Sequence, residues 1–319
     1  KEKEYVLKRI SIVVPCYNEE KMIDIFYSEC FKVTSSMTEY IFEYIFINDG
    51  STDSTLNTIK NLAENTLDIK YLSFSRNFGK ESSMLAGIKH SSGDYIVVMD
   101  VDLQHPPSLL YSMVVHIENG YDSVAAKRVK RNGESKLRGY FSKKFYNIIN
   151  KISDINIEVG ATDYRIMSRK MVNSVLEIKE YHRFTKGIFE WVGYDTKWIE
   201  YESEEREVGD SKWSFWSLFK YAIEGIISFS TTPLKISSII GIIFAIMSFI
   251  YFTFTFLKTL ITGIDMPGYP SIICMITFLG GIQLIALGII GEYLSRVYME
   301  TKRRPHYFIK ESNIRSEEK

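Results

Sequence analysis

Two long apolar segments in the last third of the chain constrain its fold more than any other feature. Residues 236–257 and 271–290 contain no Asp, Glu, Lys or Arg. Each is close to the roughly 20 residues that a helix needs to cross the hydrocarbon core of a bilayer. A buried hairpin in a soluble protein is the alternative. The sequence therefore predicts two transmembrane helices within residues 233–291.

The flanks of these segments indicate their orientation. The connector at residues 258–270 is rich in glycine and proline, which predicts a tight turn on the outer side of the membrane. Basic residues follow the second segment at Arg296 and at 302–304, and positive charge beside a span favours the cytoplasm. We therefore expect a multi-pass protein with both termini in the cytoplasm.

The segment before the first span is amphipathic. In residues 213–232, apolar side chains recur at helical spacing opposite polar ones, and Trp213 and Trp216 suit the headgroup zone. We expect a juxtamembrane helix in the plane of the interface, or one packed against the globular part. Residues 1–212 are then a cytosolic domain and residues 292–319 a cytosolic tail.

Charge and cysteine content exclude several classes of protein. Lysine plus arginine equals aspartate plus glutamate, at 39 each, so no basic excess points to nucleic acid. The three cysteines are far apart and lack CxxC or Cys/His ligand spacing, which argues against a disulfide framework and a zinc site. The first residues show no secretory signal with an apolar core and a cleavage site. A cytosolic domain fits these observations.

The globular part alternates between apolar runs and helical segments. The runs are at residues 10–14, 41–47, 69–74 and 95–99, and the helical segments are at 19–32, 53–65 and 80–90. This alternation predicts an α/β domain with a doubly wound, mostly parallel sheet. Ligands of such sheets bind beyond the carboxyl ends of the strands, so the residues after each run are the candidates for chemistry.

Polar clusters follow the first three runs. Residues 15–20 (PCYNEE) and 48–53 (NDGSTD) can each be a turn with a helix cap. Asp49 could instead accept hydrogen bonds from a base or a ribose, and amides at the next helix start favour anions. After the third run, Arg76 and Lys80 flank a glycine turn. They are either a diphosphate contact or part of a solvated loop.

The fourth run ends in the strongest local signal, DVDLQ at residues 100–104. Two carboxylates separated by one apolar residue at a strand end can approach one divalent cation, and oxygen ligands suit Mg²⁺ or Mn²⁺. Such an ion can hold a diphosphate and act as a Lewis acid on the leaving oxygen when a sugar-diphosphate bond breaks. Asp100, Asp102 and Gln104 are therefore the candidate metal residues.

Basic residues crowd the stretch at 127–138. Such runs are usually solvated, but this one could also attract anionic lipid headgroups and a phosphate acceptor. Further on, Asp163 and Arg165 lie beside a small-residue turn, and Arg206 and Lys212 precede the membrane segment. Taken alone, these are ordinary ion-pair candidates.

Together these blocks resemble family 2 glycosyltransferases of the polyprenyl-phosphate type, a group that includes bactoprenol glucosyltransferases and dolichol-phosphate mannose synthases. The resemblance spans almost the whole chain. It rests on six ordered blocks: VVPCYNEE at 13–20, INDGSTDST at 47–55, SRNFGKE at 75–81, DVDLQHPP at 100–107, ATDYRIMSR at 161–169 and GEYLSRVYMETKRRP at 291–305. The last block is similar to the bacterial bactoprenol branch in particular.

The resemblance implies a GT-A fold and a role for each block. It implies that Asp163 and Asp102 are the catalytic residues and that Asp100, Asp102 and Gln104 hold Mg²⁺ or Mn²⁺. The residues implied for the nucleotide sugar are Pro15, Tyr17, Glu19, Asp49, Arg76, Lys80, Asp100, Gln104 and Arg128. Those implied for the acceptor phosphate are Arg206, Lys212 and Arg165.

The implied reaction moves a hexose, with glucose and a UDP-linked donor favoured, onto undecaprenyl phosphate at the bacterial inner membrane, for modification of a cell-envelope glycan. A lipid phosphate has its second pKa near about 6 and is already nucleophilic at neutral pH. We therefore expect Asp163 to orient the acceptor or a nearby arginine, and in-line attack to invert the anomeric carbon.

The sequence is also compared with other possible functions. The sequence lacks the Gln-x-x-Arg-Trp block of processive polysaccharide synthases, and two spans with almost no charge argue against lipid transport. A membrane-tethered nucleotide-sugar sensor without turnover is the rival from another class. GDP-mannose or a UDP-N-acetylhexosamine could replace the favoured donor. Gly280, Gly281 and Gly288 would permit close helix packing between protomers.

Overall fold

The computed structural model describes residues 7–131, 150–151, 155, 157–203, 227, 230–262 and 268–314. Several sequence expectations lie outside these residues. They concern Arg206, Lys212, Lys136, Arg138 and most of the amphipathic segment at 213–232.

The first half of the globular domain alternates strands and helices as the sequence predicts. Its strands are β1 (Lys8–Cys16), β2 (Tyr40–Asn48), β3 (Ile69–Phe74) and β4 (Tyr95–Val98), and its helices are α1 (Ile23–Thr34), α2 (Thr55–Asn65), α3 (Lys80–His90) and α4 (Leu109–Glu118). β1 pairs in parallel with both β2 and β4, and β2 pairs in parallel with β3. The prediction of a parallel α/β core is confirmed.

The second half adds antiparallel strands. Its elements are β5 (Ser123–Arg131), β6 (Ala161–Ser168), α5 (Arg169–Glu177), α6 (Thr185–Trp191) and β7 (Thr196–Ser203). β6 pairs antiparallel with both β4 and β5, whereas β5 and β7 are parallel. The antiparallel pairing places the start of β6 beside the carboxyl end of β4, where the site is expected.

Two long helices, α7 (Thr232–Thr262) and α8 (Tyr269–Lys302), contain the predicted apolar segments. Within them, Thr232–Tyr251 and Phe278–Lys302 are long and apolar enough to cross a membrane, judged by length and composition. No residue of these windows is buried inside the protein. An apolar surface of this kind requires a partner outside the described residues.

The two long helices pack against each other as a hairpin. The rings of Phe244 and Phe278 lie 5.6 Å apart in an edge-to-face contact. At the opposite end of the contact, the Tyr293 hydroxyl donates to the Ser230 carbonyl over 2.5 Å. Side chains on the outside stay exposed, as for Phe249 at 70%.

After α8 the chain returns to the globular domain as β8 (Ile309–Ser312), which pairs antiparallel with β3. The described strands form one sheet in the order β7-β5-β6-β4-β1-β2-β3-β8. The residues expected to be a tail beyond the membrane segment therefore supply an edge strand of the sheet.

The sheet separates two hydrophobic cores. Ile10, Ile12 and Val14 of β1 point to the core formed with α1, α2 and α4, while Val13 points to the core formed with α3, α5 and α6. Strands buried on both faces need apolar side chains at consecutive positions, which explains why residues 10–14 are apolar except for the buried Ser11. The doubly wound arrangement leaves the carboxyl edge of the sheet for polar residues.

Candidate active site

Lys80 joins two carboxylates at the carboxyl edge of the sheet. Its Nζ atom lies 2.7 Å from Oδ1 of Asp100 and 2.6 Å from Oδ2 of Asp163. We call these three residues the charge cluster. The cluster connects the start of α3, the end of β4 and the start of β6, so it draws together three of the six sequence blocks.

The register of the strands explains why the two acids meet. β4 and β6 are antiparallel with Val98 opposite Arg165. Continuing this register by two residues brings Asp100 opposite Asp163. Lys80 is the first residue of α3 and follows Gly79, whose φ of 93° suits a glycine. This turn lets the helix begin directly over the two carboxylates.

Lys80 and Asp163 stabilise each other's charged form. Burial alone would raise the pKa of Asp163, but the charges of Lys80, Lys186 and Arg165 hold that pKa well below its usual range. Burial would lower the pKa of Lys80, but Asp100 and Asp163 raise it above its usual range. The Lys80 side chain is still 41% exposed, so it can be reached from solvent.

A second group of contacts fixes the loop before α3. The Asp49 carboxylate accepts hydrogen bonds from the Phe78 amide at 2.6 Å and the Gly79 amide at 2.9 Å. Gly50, with φ of 64°, packs so closely on this loop that a Cβ atom would lie 2.3 Å from the Arg76 carbonyl carbon. We call Asp49, Gly50 and residues 76–79 the loop clasp.

The clasp gives Asp49 a structural role. The residue is 3% exposed. Burial raises the pKa of its carboxyl group, and the two amide donors partly offset that effect. Contact with a base or ribose, which the sequence suggests, would have to use the remaining lone pairs of the same carboxylate.

The loop after β1 is locked to the loop after β2. The Thr52 amide donates to Oδ1 of Asn18 over 2.8 Å, and the Glu19 amide donates to the Thr55 hydroxyl over 2.8 Å. Asn18 adopts a positive φ of 55°, a conformation that asparagine tolerates better than most residues. Pro15, Tyr17 and Glu19 are thereby held at the edge of the sheet, with the Tyr17 side chain 39% exposed.

Arg76 and Arg128 border the site from opposite sides. Arg76 is exposed and its guanidinium carbon lies 4.5 Å from the centre of the Phe78 ring. Arg128 lies on β5. Burial lowers the pKa of His105 and raises the pKa of Tyr201 to about 12, and the positive charge of Arg128 acts toward a lower pKa at both groups. Two cations therefore flank the edge where the charge cluster is found.

The DVDLQ segment makes a tight turn. The Gln104 amide donates to Oδ1 of Asp102 over 3.2 Å, and Leu103 has φ of 53°. The described residues contain no group of three or more His, Cys, Asp and Glu side chains that could hold a metal. Asp100 and Asp102 offer two carboxylates, and this donor set fits Mg²⁺, which is commonly held by one or two carboxylates together with substrate phosphates.

His105 lies beside Asp100, and no role for it was predicted from the sequence. Its Nδ1 atom is hydrogen-bonded to the Tyr201 hydroxyl, and its Nε2 atom lies 3.9 Å from Oδ2 of Asp100. The ring is 5% exposed. Burial lowers the pKa of His105, and the negative charges of Asp100 and Asp102 act in the opposite direction. The only sequence signal was its place directly after the predicted metal segment.

Glu81 is a second residue that the sequence did not single out. Its Oε2 atom accepts hydrogen bonds from the amide and the hydroxyl of Thr185 at the start of α6. Burial, followed by the charge of Asp163, raises the pKa of Glu81 to about 7. Its position beside Lys80 in the SRNFGKE block was the available signal.

The structure is at odds with the expectation that Arg165 contacts the acceptor phosphate. The Arg165 side chain is 1% exposed and its guanidinium carbon lies 4.1 Å from the centre of the Phe189 ring. Burial lowers the pKa of Arg165 to about 10, opposed by Glu190 and Asp163. Alternation along β6 puts it on the same face as Asp163 but deeper in the protein. The positive charge of Arg165 helps to lower the pKa of Asp163.

Comparison with known proteins identifies the family of the chain. Residues 11–176 match the model for glycosyl transferase family 2, and residues 232–297 match that for the GtrB C-terminal hairpin. The chain is 48% identical over 305 residues to a putative glycosyltransferase, CsbB, of Bacillus subtilis (96% of this chain, 92% of the relative). It is 44% identical to the prophage bactoprenol glucosyl transferase homolog of Escherichia coli (95% and 98%) and 43% identical to the bactoprenol glucosyl transferase of Shigella phage SfII (96% and 98%).

The family model and the hairpin model match successive parts of the chain, and the three relatives align with it over nearly its full length. The doubly wound, mostly parallel sheet with its two-helix hairpin is the GT-A architecture that the sequence blocks predicted. The chain belongs to glycosyl transferase family 2.

Proposed function

We propose that this glycosyltransferase moves glucose from a nucleotide diphosphate donor to a polyprenyl phosphate at a bacterial membrane. The observation that carries the proposal is the charge cluster at the carboxyl edge of the sheet, where Lys80 bridges Asp100 and Asp163. Two relatives named bactoprenol glucosyl transferases, at 43% and 44% identity, supply the class of sugar and lipid.

The donor binds across the loop clasp and the DVDLQ segment. Asp100, Asp102 and Gln104 would hold Mg²⁺ or Mn²⁺, which when bound supplies Lewis-acid stabilisation of the departing nucleotide. Arg76, Lys80 and Arg128 are the cations available for the diphosphate. Pro15, Tyr17, Glu19 and Asp49 form the nucleoside side of the site. UDP is the favoured nucleotide.

Asp163 orients the reacting groups without acting as a strong base. A lipid phosphate with a second pKa near about 6 is mostly a dianion at neutral pH. The pKa of Asp163 is held far below its usual range by Lys80 and Lys186, so its carboxylate is a weak proton acceptor. In-line attack by the phosphate oxygen on the anomeric carbon breaks the bond to the diphosphate and inverts the configuration.

The acceptor approaches from the membrane side. We assign its phosphate to Arg206 and Lys212, which lie in the sequence between β7 and the hairpin. Two cations there would offset the repulsion between the acceptor phosphate and the donor diphosphate. Alanine at either position should raise the KM of the lipid acceptor more than that of the donor.

We propose that the hairpin anchors the domain in the membrane, with the predicted divisions at residues 212, 232 and 291. β8, which follows the hairpin, pairs with β3 of the globular domain, and this pairing supports the proposal that both ends of the hairpin face the same side of the membrane. Lys302, Arg303 and Arg304 at the end of α8 favour the cytoplasmic side. Close packing through glycines of α8 would allow a homo-oligomer.

The test is transfer of radiolabelled sugar from UDP- and GDP-linked donors to undecaprenyl phosphate, with purified protein and Mg²⁺ or Mn²⁺. We expect label from UDP-glucose to enter the lipid phase, and Asp102→Ala to abolish this transfer. Transfer only from GDP-mannose or from a UDP-N-acetylhexosamine would replace the sugar in the proposal. Binding of a nucleotide sugar without any transfer would favour a membrane-tethered sensor and contradict the proposal.

A further inference from the structure

We propose that residues 306–312, which we call the C-terminal strap, position the donor-binding loop at residues 75–79. In this view Tyr307 and Phe308 are positioning residues of the donor site. The identity of the ligand rests on the proposed function, but the placement of the loop rests on contacts within the described residues. The sequence suggested only a tail in this region.

The backbone of the strap extends the sheet up to the first residue of the loop. β8 pairs with β3 so that Leu72 is opposite Ser312 and Ser73 is opposite Glu311. The pairing continues past the end of β3, where the Ser75 amide donates to the Phe308 carbonyl over 3.0 Å. The loop therefore leaves the sheet from a point that the strap fixes.

Aromatic side chains of the strap then hold the loop itself. The Tyr307 ring stacks on Phe74, with centroids 4.9 Å apart and planes at 15°. The Phe308 ring lies 6.1 Å from Phe78, and Phe78 lies 5.8 Å from Phe74. The Arg76 guanidinium carbon, 4.5 Å from the Phe78 ring centre, rests on this aromatic group.

The loop is consequently held from two sides. Asp49 binds the amides of Phe78 and Gly79 at 2.6 and 2.9 Å, while Tyr307 and Phe308 pack on the opposite side. Lys80 follows directly and reaches Asp100 and Asp163. A loop that presents cations to a diphosphate is effective only when it is held in place before the ligand arrives.

Tyr307 also packs against the core formed with α3, α5 and α6, whereas β8 itself contributes no buried side chain. The side chains of β8 are exposed except for Glu311, which is partly exposed and pairs with Lys60 at 2.6 Å. Covering the edge of β3 is one use of such a strand, but edge cover does not require two aromatic residues directed at the loop. Their contacts with Phe74 and Phe78 assign them to the donor site.

The strap also ties the donor loop to the end of α8. The His306 ring stacks on Tyr181 at 5.8 Å, and the Tyr181 amide donates to Oε1 of Glu300 over 2.7 Å. Glu300 belongs to the last turns of α8. The position of the donor loop is thereby set relative to the hairpin that anchors the protein.

The test combines two measurements on the full-length protein in lipid nanodiscs. Hydrogen exchange is followed in the peptide covering residues 75–79, and UDP-glucose and GDP-mannose binding is measured by calorimetry with Mn²⁺. For Tyr307→Ala we expect faster exchange in this peptide and a donor Kd weakened about tenfold, since small displacements of positioning groups have effects of this size. Phe308→Ala, whose ring is 56% exposed, should act in the same direction by about threefold and removes little of the core.

Two further variants separate positioning from general damage. Tyr307→Phe restores the stacking ring and should recover both exchange protection and affinity. Lys310→Ala, an exposed residue of the same strand, should change neither. Unchanged donor affinity in Tyr307→Ala and Phe308→Ala would overturn the proposal even if exchange increased, and so would a wild-type protein that binds neither sugar nucleotide. A wild-type protein that binds donor but transfers no sugar would contradict only the proposed function.

Discussion

The loop clasp and the charge cluster are neighbours, yet they are held together in different ways. In the clasp, Asp49 binds main-chain amides at 2.6 and 2.9 Å and is 3% exposed. In the cluster, Asp100 and Asp163 are bound by one flexible lysine side chain that is 41% exposed. Asp49 is satisfied by main-chain donors, and Asp100 and Asp163 share the charge of one lysine side chain.

This difference indicates that the loop clasp is the structural scaffold of the site and that the charge cluster is its reactive centre. Main-chain donors cannot leave an acid without moving a loop, so the contacts of Asp49 fix the shape of the clasp. A lysine can transfer its contacts to an arriving phosphate, which leaves Asp100 and Asp163 available to other cations or to substrate. We therefore expect changes in the cluster to affect turnover, and changes in the clasp to affect donor affinity and stability.

Replacing Asp163 or Asp100 with asparagine should have the largest effect. Each change removes a charge from the cluster while conserving shape, and we expect kcat to fall by about 100-fold or more, the scale of losing one preorganised electrostatic contact. The measurement is the initial rate of sugar transfer at saturating donor and acceptor. Asp122→Asn, which alters a carboxyl residue at the start of β5, should leave the rate unchanged. Near-normal turnover of Asp163→Asn would mean that Asp163 has a structural role like that of Asp49. It would contradict the difference between the loop clasp and the charge cluster.

Replacing Lys80 with methionine should be next in size. Two carboxylates then face each other without their shared cation, so the pKa of Asp163 should rise toward its usual range. We expect the kcat/KM for the donor to fall about 10- to 100-fold and its acidic limb to move to higher pH. Lys32→Met removes an exposed lysine paired with Glu29 on α1 and should change neither. An unmoved acidic limb would show that Lys80 does not control the charge of Asp163.

Much of this arrangement could be predicted from local sequence. The apolar runs at 10–14, 41–47 and 69–74 fall within β1, β2 and β3, and the helical segment at 80–90 coincides with α3. Strands buried on both faces have few polar residues, so their ends are marked sharply by clusters such as DVDLQ. Local patterns therefore located the edge of the sheet where the site lies.

Contacts between distant residues could not be predicted in the same way. Nothing in the sequence IKES at 309–312 alternates as a strand should, because β8 is held by main-chain pairing with β3 and by its aromatic neighbours. The burial of Arg165 depends on Phe189 and Glu190, which come from α6. The meeting of Lys80 with Asp163 depends on the register of an antiparallel strand that only the fold determines.

Replacing Asp49 with asparagine should weaken the clasp more than the chemistry. An amide side chain can accept from only one of the Phe78 and Gly79 amides on its oxygen, and its NH₂ group would face the other donor. We expect a loss of about 1–2 kcal/mol of unfolding free energy and a several-fold rise in donor KM with kcat nearly unchanged. Thermal unfolding and donor titration of the activity measure these changes. Asp68→Asn, an exposed position outside the clasp, is the matched control, and a large drop in kcat for Asp49→Asn would mean that Asp49 belongs with the reactive centre.

Glu81 lies between the two regions, and replacing it with glutamine should have the smallest effect on turnover and a pH-dependent effect on stability. Burial and the charge of Asp163 raise the pKa of Glu81 from its ordinary 4.5 to about 7. Between these two values the folded state holds the proton more tightly than the unfolded state, so stability from this group is greatest at low pH and is lost as pH rises toward 7. Glutamine is neutral at every pH and can still accept from Thr185 on its side-chain oxygen.

We therefore expect Glu81→Gln to match the wild type near pH 4 and to be more stable by about 3 kcal/mol near pH 8, since the pKa of Glu81 rises from 4.5 to about 7. The measurement is the midpoint of thermal unfolding across this pH range, with Glu64→Gln, an exposed residue of α2, as the matched control. If both variants keep the wild-type dependence of the unfolding midpoint on pH, Glu81 is ionised over the whole pH range measured. The charge cluster must then include a third carboxylate. If only Glu81→Gln flattens the pH dependence of stability, Glu81 is protonated at low pH. The negative charge of the reactive centre is then confined to Asp100 and Asp163 at low pH, and Glu81 has a structural role there.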